Sequence, residues 1–429
     1  MALVVMTIVF GLSLILGMPI AFCLGLSSLA TFIYIGNPLF LKIIPQMIFQ
    51  GISMFSLMAI PFFILAGEIM NKSQITDTII NFANVLVGHI KGGLAHVNII
   101  SSIFFAGITG AAVADTAALG TILIPAMVHE GYDEDFSAAV TVSSSVIGPI
   151  IPPSIVMVIY GVTMKVSIAA LFASGFVPGL LIGIALMIVA YFISKKKGYG
   201  YRKRASFREI LSKSRKAFWG LLMPIIILGG ILSGVFTPTE AAAVAVVYGC
   251  FAGFFIFRTL KLSDFPGMLK RTAITSSVVL LIIGNAKIMG WILAYEHMPE
   301  IMANLFLSIT NNPYLMLLLI NLLLLIVGMF MEISAAIVLL APILAPLVTS
   351  FGIHPLHFAI VMLVNLNIGL ITPPLGQCLF TVCGITNLSM EQVVKATLPF
   401  ILAEIAVLIL ITYIPALTAF IPQLLGYYK

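Results

Sequence analysis

The sequence predicts an all-α integral membrane protein made of two inverted repeats, each with a re-entrant hairpin and a broken helix. Three observations carry that prediction. First, only 8% of the 429 residues are charged and 61% are hydrophobic, whereas soluble domains carry about 25% charged residues. A mean hydropathy of +1.19 does not fit a water-facing surface. Second, apolar runs long enough to span a bilayer recur along the chain, among them Leu171–Ile193, Phe218–Phe236, Ile274–Ala294 and Pro399–Ala419. Runs of about 20 residues mean helices, since barrel strands alternate in segments of about 10. Third, the chain repeats itself at a spacing of 221 residues: Pro125 meets Pro346, Gly131 meets Gly352, Gly148 meets Gly369, and Pro152-Pro153 meets Pro373-Pro374. Gly107 meets Gly328 in the same register, and further upstream, after a slip of two, Glu68 meets Lys287.

The elements follow in order. Residues 1–36 lack the basic start of a signal peptide and read as retained membrane helix, one kinked span or two around Gly17-Met18-Pro19. Repeat 1 covers 37–194: arm helices, a re-entrant hairpin at 93–130 turning at Gly107–Gly110, a broken helix at 135–163 and a scaffold helix at 168–194. The basic stretch 195–216 is a cytoplasmic loop. Repeat 2 covers 217–429, with a re-entrant hairpin at 313–348 turning at Gly328–Glu332, a broken helix at 355–386 and a scaffold helix at 396–420. Five crossings between the hairpins (135–163, 168–194, 217–236, 239–257 and 272–295) invert the second unit, so the first hairpin opens to the cytoplasm and the second to the periplasm. This layout puts 17 of the 21 Lys and Arg on the cytoplasmic side and leaves Lys42, Lys165 and Lys429 outside, as the positive-inside rule requires.

The broken helices carry the chemistry. A proline lacks an amide hydrogen and clashes with the carbonyl four residues back. In SSSVIGPIIPPS (143–154), Pro149, Pro152 and Pro153 free the carbonyls of Ser145, Gly148 and Pro149. In NLNIGLITPPLG (365–376), Pro373 and Pro374 free those of Gly369 and Leu370. Inverted-repeat transporters use such backbone to bind cations, and half-helix amino ends to face anions. The tips GITGAAVADTAALG (107–120) and GMFMEISAA (328–336) add Thr109, Asp115, Glu332 and Ser334. These hard oxygen ligands suit an alkali cation and not a transition metal.

Blander roles compete. Asp115 could cap a half-helix, as could Glu332. Glu68 and Lys287 read as a charge pair fastening hairpin supports to the scaffold, and Glu240 as first-turn acid of a helix. Glu404 is the remaining acid outside the obvious loops. His354 and His357 lie one turn apart without the Cys or acid a zinc site needs. Cys23, Cys250, Cys378 and Cys383 show no metal or redox spacing. The basic run 195–216 fixes topology and is no nucleic-acid site.

Over nearly its full length the chain resembles the large membrane subunit (DctM-like) of tripartite ATP-independent periplasmic (TRAP) transporters. The likeness rests on GITGAAVADTAALG, on HEGYDEDFSAAVT (129–141) and on the two broken-helix strings. It implies an ion-transporter-like elevator carrier in the bacterial inner membrane, with two or more sodium ions driving uptake of an organic acid, sialic acid or a C4-dicarboxylate. It also implies two partners: a periplasmic substrate-binding protein and a small four-helix membrane subunit, expected as a separate chain. No organic cofactor is implied. Carried over residue by residue, one sodium site would use Thr109, Gly110, Asp115, Ser145 and Gly148, and the other Met331, Ser334, Gly369 and Thr372. The substrate carboxylate would lie near Ser143, Pro152, Asn365 and Pro373. Position 107 opens Gly-Ile-Thr-Gly where that family has a more Ser-rich tip.

Other classes fit less well. A stand-alone sodium- or proton-coupled carrier or antiporter would share the architecture without the partners. A channel would want a continuous polar pore. No HExxH, DDxxD or triad-placed GxSxG marks an intramembrane enzyme. The layout itself implies an elevator motion: Asn71–Gly92 and Leu260–Arg271 read as surface arms linking a mobile hairpin unit to scaffold helices 168–194 and 399–419, with Gly88, Gly92 and Gly93 as hinges.

Overall fold

The computed structural model describes residues 1–73 and 75–428, with backbone only at Ile108 and Thr109. Among them there is no strand, and nine helical stretches are long and apolar enough to cross a membrane. In chain order the helices are α1 (Ala2–Ile15), α2 (Ile20–Ile35), α3 (Pro38–Ile52), α4 (Ala59–Lys72), α5 (Ile75–Val87), α6 (Gly93–Thr109), α7 (Ala112–His129), α8 (Glu134–Ser145), α9 (Ile155–Met164) and α10 (Ile168–Lys197). Then come α11 (Phe207–Leu232), α12 (Pro238–Phe251, ending in a π turn at Ala252–Ile256), α13 (Phe265–Tyr295), α14 (Met298–Ile309), α15 (Pro313–Phe330), α16 (Ile333–Ser350), α17 (Pro355–Gly369), α18 (Gln377–Cys383), α19 (Met390–Tyr413) and α20 (Ala416–Leu424).

Local chemistry sets the boundaries. Ser167 and Ser206 cap α10 and α11 by accepting from Ala170 and Glu209 amides. Thr237 with Glu240, and Ser389 with Gln392, form reciprocal capping boxes at α12 and α19. Glu240 thus has the helix-start role read for it. Asn37, Asn312 and His354 cap helices whose first residue is proline. Residues 1–36 resolve into two helices, α1 and α2, packed on each other across a turn in which Gly17 has φ +75°.

The helices pack into two bodies. In one, α2, α3 and α4 lie on α13, α4 lies on α12, and α11 closes on α12. Asn285 of α13 donates to the Ala21 carbonyl of α2 at 2.9 Å. In the other, α6–α10 pack with α15–α20. Helix α5 touches α6 and α11, and α14 touches α16 and α13, so each spans the two bodies. The element order α7, α8, α9, α10 returns as α16, α17, α18, α19, and α8 at Glu134 and α17 at Pro355 start 221 residues apart.

Three expectations are corrected. Helices at 168–194 and 396–420 were read as scaffold standing apart from the hairpins. Instead α10 and α19 pack on each other and on the broken helices. The cause is a small-residue stripe: Gly175, Gly179 and Gly183 of α10 let Ile150, Ile151 and Ile103 seat against the helix backbone. The second span ends at Tyr413, and α20 follows after Pro415. Leu260–Arg271 is no separate arm: from Phe265 it belongs to the 31-residue α13, and the counterpart of α5 is α14. Finally, Glu68 pairs with Arg271 at 2.7 Å, whereas Lys287 is exposed, its stem packing beside Gly51. The proposed hinge glycines form a close-packed turn. Gly92, at φ +78°, leaves no room for a Cβ beside Ser194, and Gly88 and Arg202 are joined by a backbone bond of 2.9 Å.

Candidate functional site

The two breaks share their geometry. Between α8 and α9 the chain runs through residues 146–154 in turns, and between α17 and α18 through 370–376. Both Pro–Pro bonds, 152–153 and 373–374, are cis. The prolines do free helical carbonyls, yet most of these find a local donor. Ser145 O accepts from Gly148 N at 3.0 Å, and Pro149 O from the Ser154 hydroxyl at 2.5 Å. Gly369 O accepts from Thr372 N and Leu370 O from Cys378 N, both at 3.1 Å. At Ser145 and Gly369 a tight three-residue turn replaces the lost helical bond, at Pro149 a serine hydroxyl does, and at Leu370 the amide of Cys378 does. Each of these carbonyls keeps a second lone pair for a ligand.

The first hairpin tip lies on the first break. A Cβ on Gly110, which has φ +61°, would stand 3.0 Å from Pro153 O and 3.3 Å from Ile155 N. Asp115, in the first turn of α7, is fully buried, and its carboxylate fills the space a side chain at Gly148 would need. The N-cap of α7 is Ala111, which offers no side chain. Ser145 Oγ lies 2.8 Å from Thr116 Oγ1 and donates to Val142 O at 2.6 Å. The structure therefore brings Asp115, Ser145 and Gly148 together and adds Thr116, which the sequence reading missed. Thr109 has its side chain outside the described residues.

At the second break the contact is backbone on backbone. Gly328 packs against Gly369 and Leu366 so closely that a Cβ on Gly369 would collide with the Gly328 main chain. Met331 has extended backbone at the end of α15. Glu332 takes the capping role: its carboxylate accepts from Ala335 N at 3.1 Å and from the Ser334 hydroxyl at 2.8 Å. Thr372 Oγ1 donates to Ile368 O at 2.7 Å. Ser145, Ser334 and Thr372 thus all direct their protons to protein acceptors, leaving lone pairs outward. That is the polarity a cation ligand needs.

The four substrate candidates differ in access. Ser143, Pro152 and Asn365 are buried, Pro373 is half-buried, and Pro374 and Leu375 are exposed. The first break is covered and the second is open at its prolines. Ser143 Oγ has no partner among the described residues. Asn365 is largely committed: its amide donates to Asn321 O and Oδ1, each at 2.9 Å, and Asn321 donates to Thr412 at 3.0 Å. Only its Oδ1 remains to face a ligand. Ser144, the repeat equivalent of Asn365, is held likewise by its own hairpin, 2.8 Å from Ser102 and 3.3 Å from Asn98.

Two further groups approach the first site from the other repeat. Cys378 of α18 reaches Thr116 and Ser145. Beyond it, on α19, Glu404 is fully buried with neither carboxyl oxygen hydrogen-bonded among the described residues. Its isolation inside an apolar helix was the available sequence signal. The histidines are occupied: His357 lies 2.8 Å from Thr418 Oγ1 and 3.1 Å from Thr412 O, and His354 caps α17 and stacks on Tyr428 at 3.9 Å.

The two hairpin bases meet α19 at different levels, the first near its middle and the second at its last residue. The base of the first is tied to the basic loop by Arg202–Glu130 and Lys197–Asp133, and Tyr199 of that loop stacks on Phe136, which meets Phe400 of α19. At the base of the second, Tyr314 stacks on Tyr413. Outside the apolar layer, the Lys197 ammonium and the Tyr199 hydroxyl hold the Asp133 carboxyl below its ordinary range.

A helical membrane protein with paired hairpins and broken helices, and with buried oxygen-bearing side chains at the breaks, is a secondary transporter in class. The solved YdaH transporter of Alcanivorax borkumensis shares the fold over 87% of this chain and 88% of that one, with a TM-score of 0.61 at 13% identity. The sequence narrows the class further. Residues 6–417 match the tripartite ATP-independent periplasmic transporter DctM component, and the chain belongs to that family. It is 44% identical to the sialic acid TRAP transporter large permease protein SiaM of Vibrio cholerae, over 96% of each chain. It is 41% identical to the C4-dicarboxylate large permease protein DctM of Pseudomonas aeruginosa, over 94% of each. It is 43% identical to the isethionate permease protein DctMQ of Oleidesulfovibrio alaskensis, over 96% of this chain and 65% of that longer one. The chain is a multi-pass protein of the inner membrane and a transport subunit, not an enzyme. Large permeases of this family work with a small membrane subunit and a periplasmic binding protein.

Proposed function

We propose that the chain performs sodium-coupled uptake of an organic acid anion, carrying it by an elevator movement of the hairpin-bearing body. A single observation carries the coupling: the second arm of hairpin 1 sets Asp115 on Gly148 and Thr116 on Ser145, so acid, hydroxyl and freed backbone meet at one buried point. Oxygen-rich, anionic surroundings at membrane depth suit a hard monovalent cation. Gly110, with the Thr109 tip, completes that site. Met331, Ser334, Gly369 and Thr372 would make the second, so two or more ions move per substrate.

The anion would bind between the sites, near Ser143, Pro152, Asn365 and Pro373, held by hydroxyls, amides and half-helix ends, because Lys and Arg are scarce there. The printed substrates of the relatives are sialic acid, C4-dicarboxylates and isethionate. All are organic acids, and the similar identities favour none of them strongly. The sialic acid reading is slightly preferred and rests on likeness alone. A periplasmic binding protein would deliver the anion, and a small four-helix subunit would pack on the body containing α13.

The test is uptake in proteoliposomes holding this chain and both partners, with a panel of these acids. Uptake should require an inward sodium gradient, and Ser145→Ala or Thr372→Val should raise the half-saturating sodium about tenfold, the effect of losing roughly 1.4 kcal/mol of ion binding. Full uptake with potassium or protons in place of sodium rejects the coupling. Full uptake of free acid by this chain alone rejects the need for partners.

A further inference from the structure

We propose that a cavity between α5, α11 and the π turn binds the headgroup of an anionic phospholipid from the cytoplasmic leaflet. The cavity has a volume of about 760 Å³. One wall is a single face of α11, where Arg208, Ser212, Arg215, Lys216 and Trp219 recur at helical spacing. Thr78 of α5 and Ile256 and Phe257 of the π turn close the other side.

Charge separates this cavity from the rest of the basic loop. Lys197 and Arg202 are spent on Asp133 and Glu130. Arg208, Arg215 and Lys216 have no acidic partner among the described residues, although all three line one cavity. Two guanidiniums and an ammonium converging on open space match the oxygens of a phosphodiester, which guanidinium grips through paired donors. The apolar side of the cavity fixes the source. Leu211, Trp219, Ile256 and Phe257 would be idle beside a free phosphate ion, but they suit the glycerol and first methylenes of a lipid.

The depth agrees. Tryptophan and tyrosine gather at the membrane interface, and the Tyr248 hydroxyl donates to the Trp219 carbonyl at 2.5 Å. The apolar part of α11 runs from Gly220 to Leu232 beyond that level. Basic pockets between membrane helices on the cytoplasmic side are where acidic lipid headgroups bind. Because Thr78 belongs to α5, the lipid would sit in the joint between a linking helix and the body that holds α11.

Trp219 is one of two tryptophans, so Trp291→Phe leaves it as the only tryptophan, read under excitation that spares tyrosine. The full chain would be placed in phosphatidylcholine vesicles containing chain-brominated phosphatidylglycerol, or the same fraction of brominated phosphatidylcholine. The brominated phosphatidylglycerol should quench Trp219 about threefold more than the brominated phosphatidylcholine, as selective binding of an acidic headgroup requires. The excess should vanish in R208Q/R215Q/K216Q and persist when inorganic phosphate is added. Equal quenching by the two lipids overturns the proposal. Loss of the excess on adding phosphate identifies a soluble-anion site, and loss on adding the small membrane subunit identifies a protein interface; either also overturns it. Native mass spectrometry of the unaltered protein gives an independent reading. Acidic lipid should stay bound to wild type and leave the triple variant, and wild type without retained acidic lipid contradicts the assignment.

Discussion

Gly148 shows how little space the first site has. A methyl group there would press on the Asp115 carboxylate, so Gly148→Ala should cost about 1–3 kcal/mol by overpacking and raise the half-saturating sodium. Gly290, with open space around it, is the control: Gly290→Ala should leave the melting temperature at or above wild type and the half-saturating sodium unchanged. Glu404 tests a different point. Its two unbonded oxygens at zero exposure cost about 1–3 kcal/mol relative to an apolar side chain. Such a group within a membrane helix marks function by default. Glu404→Leu should therefore raise thermal stability while lowering uptake, and reduced stability with intact uptake would contradict that reading. Asp115, Ser145 and Gly148 were legible because proline breaks and a repeat register point to them. Thr116 and Cys378 were not, and Glu404 showed only as an isolated acid in an apolar helix, without its place beside the site. Their meeting depends on α18 and α19 of one repeat packing on α7 and α8 of the other, and no local pattern records that.

Each hairpin is fastened to its own broken helix by a buried polar clasp. Ser144 meets Ser102 and Asn98, and Asn365 meets Asn321. Ser144 and Asn365 are repeat equivalents, 221 residues apart, yet they differ in type and their hairpin partners fall off that register, so the sequence showed the register without the clasp. Removing one partner orphans the other at a cost of about 1–3 kcal/mol. Asn365→Leu should lower the melting temperature and speed amide exchange in α15 while leaving α6 protected, and Ser144→Ala should do the reverse. Exchange rising equally in both hairpins would mean the clasps are not local. The linking helices were half legible. The span of α5 is short and amphipathic, as expected. Its counterpart α14 lies between the crossing at 272–295 and the hairpin at 313–348, where the sequence reading assigns no element because the repeat register slips upstream of the hairpins. The polar start of α13 was mistaken for an arm because a long helix can extend past the apolar layer before entering it.

The two bodies and the links between them are the parts that the proposed elevator movement uses. The body with α6–α10 and α15–α20 holds both breaks and both tips; the body with α2–α4 and α11–α13 holds neither. Moving the first body as a unit along the second would present the same site to each side, while the tips stay clasped to the breaks. Orientation is tested separately: single cysteines in 195–216 and in 297–312 should react with an impermeant reagent from opposite sides of the membrane, and same-side labelling would remove the inverted arrangement. The central claim is best tested at the packed contact between α16 and α13. Cys23, Cys250, Cys378 and Cys383 would first be replaced, with serine at 378, since that side chain reaches Thr116 and Ser145. One cysteine next to Ala336 would then be joined to a facing residue of α13, and uptake and sodium binding measured before and after reduction. The account predicts that the crosslinked protein still binds sodium but carries no substrate, and that reduction restores uptake. Uptake at the normal rate with α16 locked to α13 would contradict it.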